Sequence, residues 1–301
     1  MTSQFTKIGV LGRHEDPRVT GPMRSLVAHL TSVGVEVFAS DSTEVDINAT
    51  RVPETQLADR VELIIAVGGD GTMLHACGIA NKRDVPLLGI NRGRLGFLAD
   101  ITPNEMLSSI DSVLAGDYLS ESRLMLKAIL TRGNGEQITA HALNDVVLQR
   151  RETGRMVDFE TRIAGRYVNT HAGDGLIIAT PTGSTAYAIS CGGPIIEPGL
   201  DAVVIVPICP HTLTDRPIVI PADESIDVNL LERDDTKAEV TADGHSIGDI
   251  LPSDTLRVSR SDRRVTLIHP PGYDYYEILR SKLYCCLLYT SPSPRDIEVH
   301  R

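Results

Sequence analysis

The sequence predicts an α/β domain with a parallel sheet, followed by a mostly β domain. Three observations carry this. Over residues 1–120, short apolar runs alternate with stretches whose apolar residues recur at helical spacing, the pattern of a parallel sheet with helices on its faces. The early apolar runs end at Gly12, Gly68 and Asn91, so their loops fall together at the sheet edge where α/β folds bind ligands. From Arg123 onward the texture changes to short strand-like pieces set off by turn residues, which places a boundary near residue 120.

Residues 7–11 read as a short apolar strand, followed by Gly12-Arg13-His14. Met23, Leu26, Val27 and Leu30 then share a helical face, and Gly34 closes that helix before a strand over 35–39. Residues 63–67, rich in Ile and Val, form a buried strand that breaks off into Gly68-Gly69-Asp70-Gly71-Thr72. Met73, Leu74, Cys77, Ile79 and Ala80 follow at helical spacing, so the stretch reads as strand, tight turn and first helical turn. A strand over 85–90 leads into the loop from Asn91-Arg92-Gly93-Arg94 to Leu95-Gly96-Phe97-Leu98. Residues 103–114 predict a helix with Thr102 as N-cap and Gly116 just past its end. The result is a Rossmann-like half.

In the second half, strands are expected over 124–130, 138–148, 157–163 and 166–170, with turns at Gly133-Asn134-Gly135 and Ala164-Gly165. Further strands follow at 203–208, 218–220, 225–231, 238–241, 255–259 and 264–268. Tyr275–Leu283 has the spacing of a closing helix. The expected organisation is an α/β domain over 1–120, joined by a returning segment at 270–283, and a β-rich domain over 121–269. Residues 284–301 have neither period and carry Pro292 and Pro294, which predicts a disordered or foreign tail.

Composition narrows the function classes. Charged residues at 23 % and hydrophobic residues at 42 % are the balance of a soluble globular protein. No apolar run approaches the roughly 20 residues of a membrane span, and no signal-peptide pattern opens the chain. Five cysteines, including Cys285-Cys286, form neither a metal-ligand spacing nor a disulfide framework, so a reducing cytoplasm is expected. The net charge of −11 argues against nucleic acid or an anionic membrane as partner. Cys191 and Cys209 read as small core residues, and His75 as a structural histidine.

The chemistry begins at the glycine loop. Backbone N–H groups of Gly68, Gly69, Gly71 and Thr72 can face an anion, because a phosphate approaches closely where no Cβ stands. The loop lacks the Lys-Ser/Thr ending of a P-loop and carries a carboxylate, Asp70, instead. A carboxylate beside phosphate is repulsive unless it holds a metal ion or takes a proton from an attacking hydroxyl, and both options point to phosphoryl transfer. A solvated helix cap is the plain alternative. Asn144-Asp145 falls inside an apolar strand, where such a pair is costly unless it binds something; together the two can serve vicinal ribose hydroxyls. A bulge on an exposed edge is the alternative there. The longest distinctive run is Gly173-Asp174-Gly175 through Thr182-Gly183-Ser184-Thr185-Ala186-Tyr187, followed by Gly192-Gly193-Pro194.

Taken with His211-Thr212-Leu213 and Arg216-Pro217, these motifs resemble the NAD kinase family over about Lys7 to Leu283. That resemblance implies an enzyme that phosphorylates NAD to NADP with ATP and a divalent ion, Mg²⁺, and that assembles as a homodimer or homotetramer. It implies Asp70 as general base on the adenosine 2′-hydroxyl, with Asn144 and Asp145 on the ribose. It also implies an NAD site lined by Gly71, Phe97, Arg155, Ala172, Asp174, Thr185, Ala186, Tyr187, Ser190 and His245. Many members carry Glu at the position of Asp145, and often Gln at that of His245. A diacylglycerol-type lipid kinase sharing the GGDGT loop, or a non-catalytic nucleotide sensor, are the rival readings.

Overall fold

In the computed structural model, which describes residues 3–12, 17–43, 45–93, 96–151, 156–212, 214–232 and 237–283, the first half alternates strands and helices. Its elements are β1 (Lys7–Gly12), α1 (Pro17–Ser32), β2 (Glu36–Ser40), β3 (Thr50–Val52), α2 (Glu54–Leu57), β4 (Leu63–Gly68), α3 (Asp70–Ala80), β5 (Leu87–Asn91) and α4 (Met106–Leu114). The strands pair in parallel in the order β3-β2-β1-β4-β5. The order reverses between β1 and β4, and in open α/β sheets such a switch point, here at the ends Gly12 and Gly68, is where ligands bind. Met23, Leu26, Val27 and Leu30 of α1 are buried with Ile8, Val10, Ile65 and Val67 on one face of this sheet. Leu57, Met73, Ala76 and Cys77 cover the other face. The helix expected from residue 103 starts at Met106, and Thr102 is not its cap. Residues 103–105 form a turn, and the Thr102 hydroxyl donates to Glu105 at 2.7 Å, which removes it from the helix amides.

The second half continues with β6 (Leu119–Thr131), β7 (Gln137–Ala142), β8 (Asp145–Arg150), β9 (Val157–Ile163), β10 (Arg166–Gly173) and β11 (Gly175–Ala179). A 3₁₀ turn (Thr182–Thr185) and α5 (Tyr187–Ser190) follow, then β12 (Ala202–Ile208), β13 (Ile218–Pro221), β14 (Ile226–Leu230), β15 (Ala238–Ala242), β16 (His245–Ile250), β17 (Thr255–His269) and α6 (Tyr275–Leu283). An antiparallel six-stranded sheet, β13-β12-β11-β8-β15-β16, packs through Val146, Leu148, Leu176 and Ile178 against Leu126, Phe159, Val228 and Val258 of the other sheet.

Two strand expectations change. The single strand expected over 138–148 is two strands in different sheets, because the chain breaks at Leu143-Asn144 and crosses the sandwich there. The strands expected at 255–259 and 264–268 are one, β17, whose pairing with β6 shifts register between Arg260 and Arg264. β17 lies antiparallel to β14 at its start and parallel to β5 at Leu267↔Leu87, so one eleven-stranded sheet runs through both halves. The chain thus re-enters the α/β half within β17. The tail 284–301 lies outside the described residues. Among those described, no helix is long and apolar enough to cross a membrane.

Where β17 ends, a buried ionic cluster joins the halves. His269 Nδ1 lies 2.7 Å from Asp100 Oδ2 and its Nε2 3.5 Å from Glu121 Oε2, and the ring stacks on Tyr273 at 3.8 Å. Arg123, only 2 % exposed, pairs with Glu121 and reaches Tyr273 Oη at 3.3 Å and Thr182 Oγ1 at 3.4 Å. Burial disfavours the His269 imidazolium, but Asp100 and Glu121 outweigh it and the net pKa is raised. A raised folded-state pKa contributes stability that is full below the ordinary histidine pKa of about 6.5 and lost as pH rises through the folded value. Replacing His269 with Asn should therefore cost about 3 kcal/mol near pH 6. Denaturant titrations should show that gap narrowing as pH rises toward 9; a gap independent of pH would mean that His269 is neutral in the fold.

Candidate functional site

The strand-to-helix turn after β4 places Asp70 as the first residue of α3, with Gly69 at the N-cap position. Asp70 is not a freely solvated cap. Its Oδ2 accepts the Phe97 N–H at 3.0 Å, and its Oδ1 accepts those of Leu98 at 3.0 Å and Ala99 at 3.4 Å. Gly96 makes this approach possible, since a Cβ there would stand 2.1 Å from Asp70 Oδ1. The carboxylate is thus aimed by the loop after β5, and Oδ2, with one acceptor bond, keeps a lone pair for a proton. Arg92 brings a guanidinium over the glycine turn: its Nη2 is 3.4 Å from where a Cβ on Gly69 would be. Gly68 and Thr72 are buried beneath the turn, whereas Gly71 is exposed.

Across from this turn, the break between β7 and β8 presents Asn144, with Asp145 opening β8. Thr180 N–H donates to the Asn144 carbonyl at 2.9 Å, and Gly183 packs against the same carbonyl so closely that a Cβ would stand 2.0 Å from it. The strand break is held from a third side by Asp243, whose carboxylate accepts the N–H groups of Leu143, Asn144 and Asp145 at 2.7, 2.8 and 3.1 Å. Burial first, and the charge of Asp243 second, push Asp145 up to about 7. Asp243 is itself raised by burial, against the three amides and His245.

A cleft of about 320 Å³ opens over this pair, lined by Leu74, Asn144, Asp145, Ala186, Tyr187 and Asp243 among others. Leu74, which lines the cleft, lies one turn beyond Asp70 on the same face of α3. Thr185 neighbours the cleft and bonds the Thr182 carbonyl at 3.1 Å. Asp174 is ion-paired to Arg150 at 3.0 Å, and its charge is felt by Tyr187. Phe97 is half-buried beside Asp70. Of the expected residues, Asn144, Asp145, Ala186 and Tyr187 line this cleft; Asp70, Gly71, Phe97, Asp174 and Thr185 do not, and three others lie elsewhere. Ala172 sits in β10, where its carbonyl accepts the His211 N–H at 2.8 Å; Ser190 is exposed at the end of α5; His245 lines a neighbouring cleft of about 530 Å³ with His75, Cys77 and His141. The two clefts share Leu74 and Asp243. Arg155 lies outside the described residues.

Cys191 and Cys209 are not core residues. Cys191 is half-buried and Cys209 exposed, because both fall near Tyr187 at the surface of the cleft. His75 is exposed and pairs with Glu54 at 3.1 Å. Sequence reasoning missed Arg92 and Asp243. The available signal for Asp243 was the Asp243-Gly244 turn beside His245, whose Asp takes a left-handed φ of 47°.

The chain matches two family models, described as the ATP-NAD kinase N-terminal domain over residues 19–118 and the ATP-NAD kinase C-terminal domain over residues 143–270. It is 42 % identical over 286 residues to a protein of Nitrosospira multiformis named NAD kinase, covering 94 % of this chain and 97 % of that one. A protein of the same name from Teredinibacter turnerae is 43 % identical over 282 residues, covering 93 % and 96 %. Among solved structures, yeast NADH kinase complexed with NADH superposes with a TM-score of 0.87 at 24 % identity, covering 96 % of this chain and 90 % of that one. An NAD kinase from Archaeoglobus fulgidus in complex with ATP gives 0.71 at 24 %, covering 91 % and 99 %. These two likenesses concern the fold.

Proposed function

The chain belongs to the ATP-NAD kinase family, and we infer that it transfers the γ-phosphoryl group of ATP to the 2′-hydroxyl of the adenosine ribose of NAD, making NADP. One juxtaposition supports the residue roles: Asp70, aimed by three backbone amides, stands one helical turn from the cleft in which Asn144 and Asp145 are held.

A sugar hydroxyl has a pKa far above neutrality, so a base that takes its proton late in the transfer lowers the barrier. In this reading Asp70 Oδ2 is that base, and Asn144 with Asp145 hold the ribose diol. Ala186, Thr185 and Tyr187 flank the dinucleotide, with Phe97, Asp174 and His245 at its margins. In this reading Gly68, Gly69 and Gly71 offer the backbone amides for the triphosphate and Arg92 adds charge there, whereas the Thr72 N–H, expected to join them, is spent on the Gly69 carbonyl at 2.9 Å. Among the described residues no group of three His, Cys, Asp or Glu side chains could hold a metal ion, so an all-protein cage does not fit. A divalent ion, Mg²⁺ in this reading, would be held chiefly through ATP and would supply charge to offset the phosphates.

Homodimer or homotetramer formation belongs to the same proposal. Ile218 and Val219 on the edge strand β13, 39 % and 49 % exposed, support it by leaving apolar side chains on opposite faces of an edge open to a second copy. A cytoplasmic location is favoured by the free thiols of Cys77, Cys191 and Cys209.

The deciding experiment offers purified protein ATP-Mg²⁺ with NAD or NADH and measures the 2′-phosphorylated product. Absence of that product with either acceptor would refute the activity. For the ribose assignment, Asn144→Ala removes two hydrogen bonds worth about 1 kcal/mol each and should raise the KM for NAD roughly tenfold. A variant that loses ATP affinity and keeps NAD affinity would move Asn144 to the other substrate.

A further inference from the structure

Asp243 is the most heavily committed carboxylate near the cleft, and no role in the reaction has yet been given to it. It follows β15 in a turn, with a backbone φ of 47° that Asp and Asn tolerate better than other side-chain-bearing residues. Its carboxylate bonds three consecutive amides on the other side of the strand break, and its own N–H returns a bond to the Asp145 carbonyl at 3.0 Å. Those amides would otherwise be orphaned, because Leu143 and Asn144 belong to neither sheet. The side chains of Asn144 and Asp145 therefore face the cleft in an orientation that Asp243 sets.

We propose that Asp243 is a positioning residue for the dinucleotide: it fixes the Asn144-Asp145 clamp and, as a second buried carboxylate beside Asp145, makes ribose binding depend on how the pair shares its charge. The proposal rests on the NAD-binding reading of the cleft. Two carboxylates in one low-dielectric site do not both ionise readily, so the affinity of the pair for a diol follows pH near neutrality. The ionisable groups around the pair come from several elements: His245 from β16, Cys77 and His75 from α3, Tyr187 from α5, His141 from β7 and Arg263 from β17, with Glu54 and Lys82 lining the same neighbouring cleft as Asp243. β11, which pairs with β8 alongside Asp145, contributes only Gly, Leu, Ile and Ala. Of these groups, His245 acts on Asp243, against the upward push of burial.

The test compares the full-length parent with Asp243→Asn and Asp145→Asn, using NAD and ATP-Mg²⁺ between pH 6 and pH 8.5. Asn at 243 keeps the left-handed turn and one acceptor oxygen but loses the charge and the second acceptor. Its KM for NAD should rise roughly tenfold with kcat and the KM for ATP within about twofold, the mark of lost ground-state binding. In the parent, the KM for NAD should rise several-fold as pH falls from 8 to 6, when Asp145 takes up a proton. In Asp243→Asn that rise should move to lower pH, and in Asp145→Asn it should vanish. A purely structural Asp243 would lower the melting temperature and leave the pH profile in place, which would overturn the proposal. Should Asp243→Asn fail to fold, the parent and Asp145→Asn profiles decide alone, and coincident profiles would overturn it. A parent that binds no NAD by calorimetry would refute the function itself, a result distinguishable from normal parent turnover with an unmoved variant.

Discussion

Replacing Asp70 with asparagine is expected to lower turnover by about 10²–10⁴, the usual contribution of a general base. The substitution keeps the size of the side chain and one oxygen. What it loses is the negative charge and one set of lone pairs. The amide NH₂ that replaces an oxygen must face a backbone N–H of the 97–99 segment, because both carboxylate oxygens are engaged there. A donor set against a donor costs about 1–3 kcal/mol, so the melting temperature should also fall. The two effects separate experimentally. Turnover is measured at saturating NAD and ATP well below the melting temperature, and NAD binding is measured by calorimetry on the same protein. Retained binding with lost turnover fits a base. Recovery at high Mg²⁺ would instead make Asp70 a metal ligand, and near-normal turnover in the folded variant would remove it from the chemistry.

Gly183→Ala is expected to do comparable damage through packing alone. The added Cβ would stand 2.0 Å from the Asn144 oxygen and 2.4 Å from its carbonyl carbon, and both atoms are backbone. Nothing flexible can yield, so either the 3₁₀ turn or the strand break must move. Overpacking of this kind costs about 3 kcal/mol. If Asn144 and Asp145 hold the ribose as proposed, a displacement near 1 Å there can cost about a hundredfold in kcat/KM for NAD. Gly78→Ala supplies the control: its Cβ meets nothing within 4 Å, and it lies inside α3, where Ala is the better helix former. It should leave stability equal or raised. A Gly183→Ala protein with the parent's melting temperature and KM would show that Asn144 does not depend on this contact.

Much of this protein is decided locally and is visible in its residues. The spacing of Met23, Leu26, Val27 and Leu30 makes one helical face, and that face is the one buried. The apolar runs ending at Gly12, Gly68 and Asn91 fix a parallel sheet whose loops share an edge, and the turn Gly68–Thr72 follows from glycine content alone. Asn144 and Asp145 were conspicuous because an apolar strand does not spend polar residues without a partner.

What the sequence could not reveal was long-range. The strand expected across 138–148 breaks because Asp243, nearly a hundred residues later, supplies acceptors for the amides of Leu143 and Asn144, which leave both sheets, and of Asp145, which opens β8. Asp70 is aimed by amides of residues 97–99, and a backbone N–H has no signature in an amino-acid letter. β17 serves both halves, since its two ends find different neighbours in one sheet. Composition and periodicity by themselves determined most of the strands and helices (though not β3, α2 or β16), where the glycine turn lies and which side chains are chemically costly, because those follow from each residue and its near neighbours. The tertiary structure alone decided how the clamp is held, which oxygen of Asp70 is open and what charge Asp145 feels, because hydrogen bonds and burial depend on groups that meet only when the chain has folded.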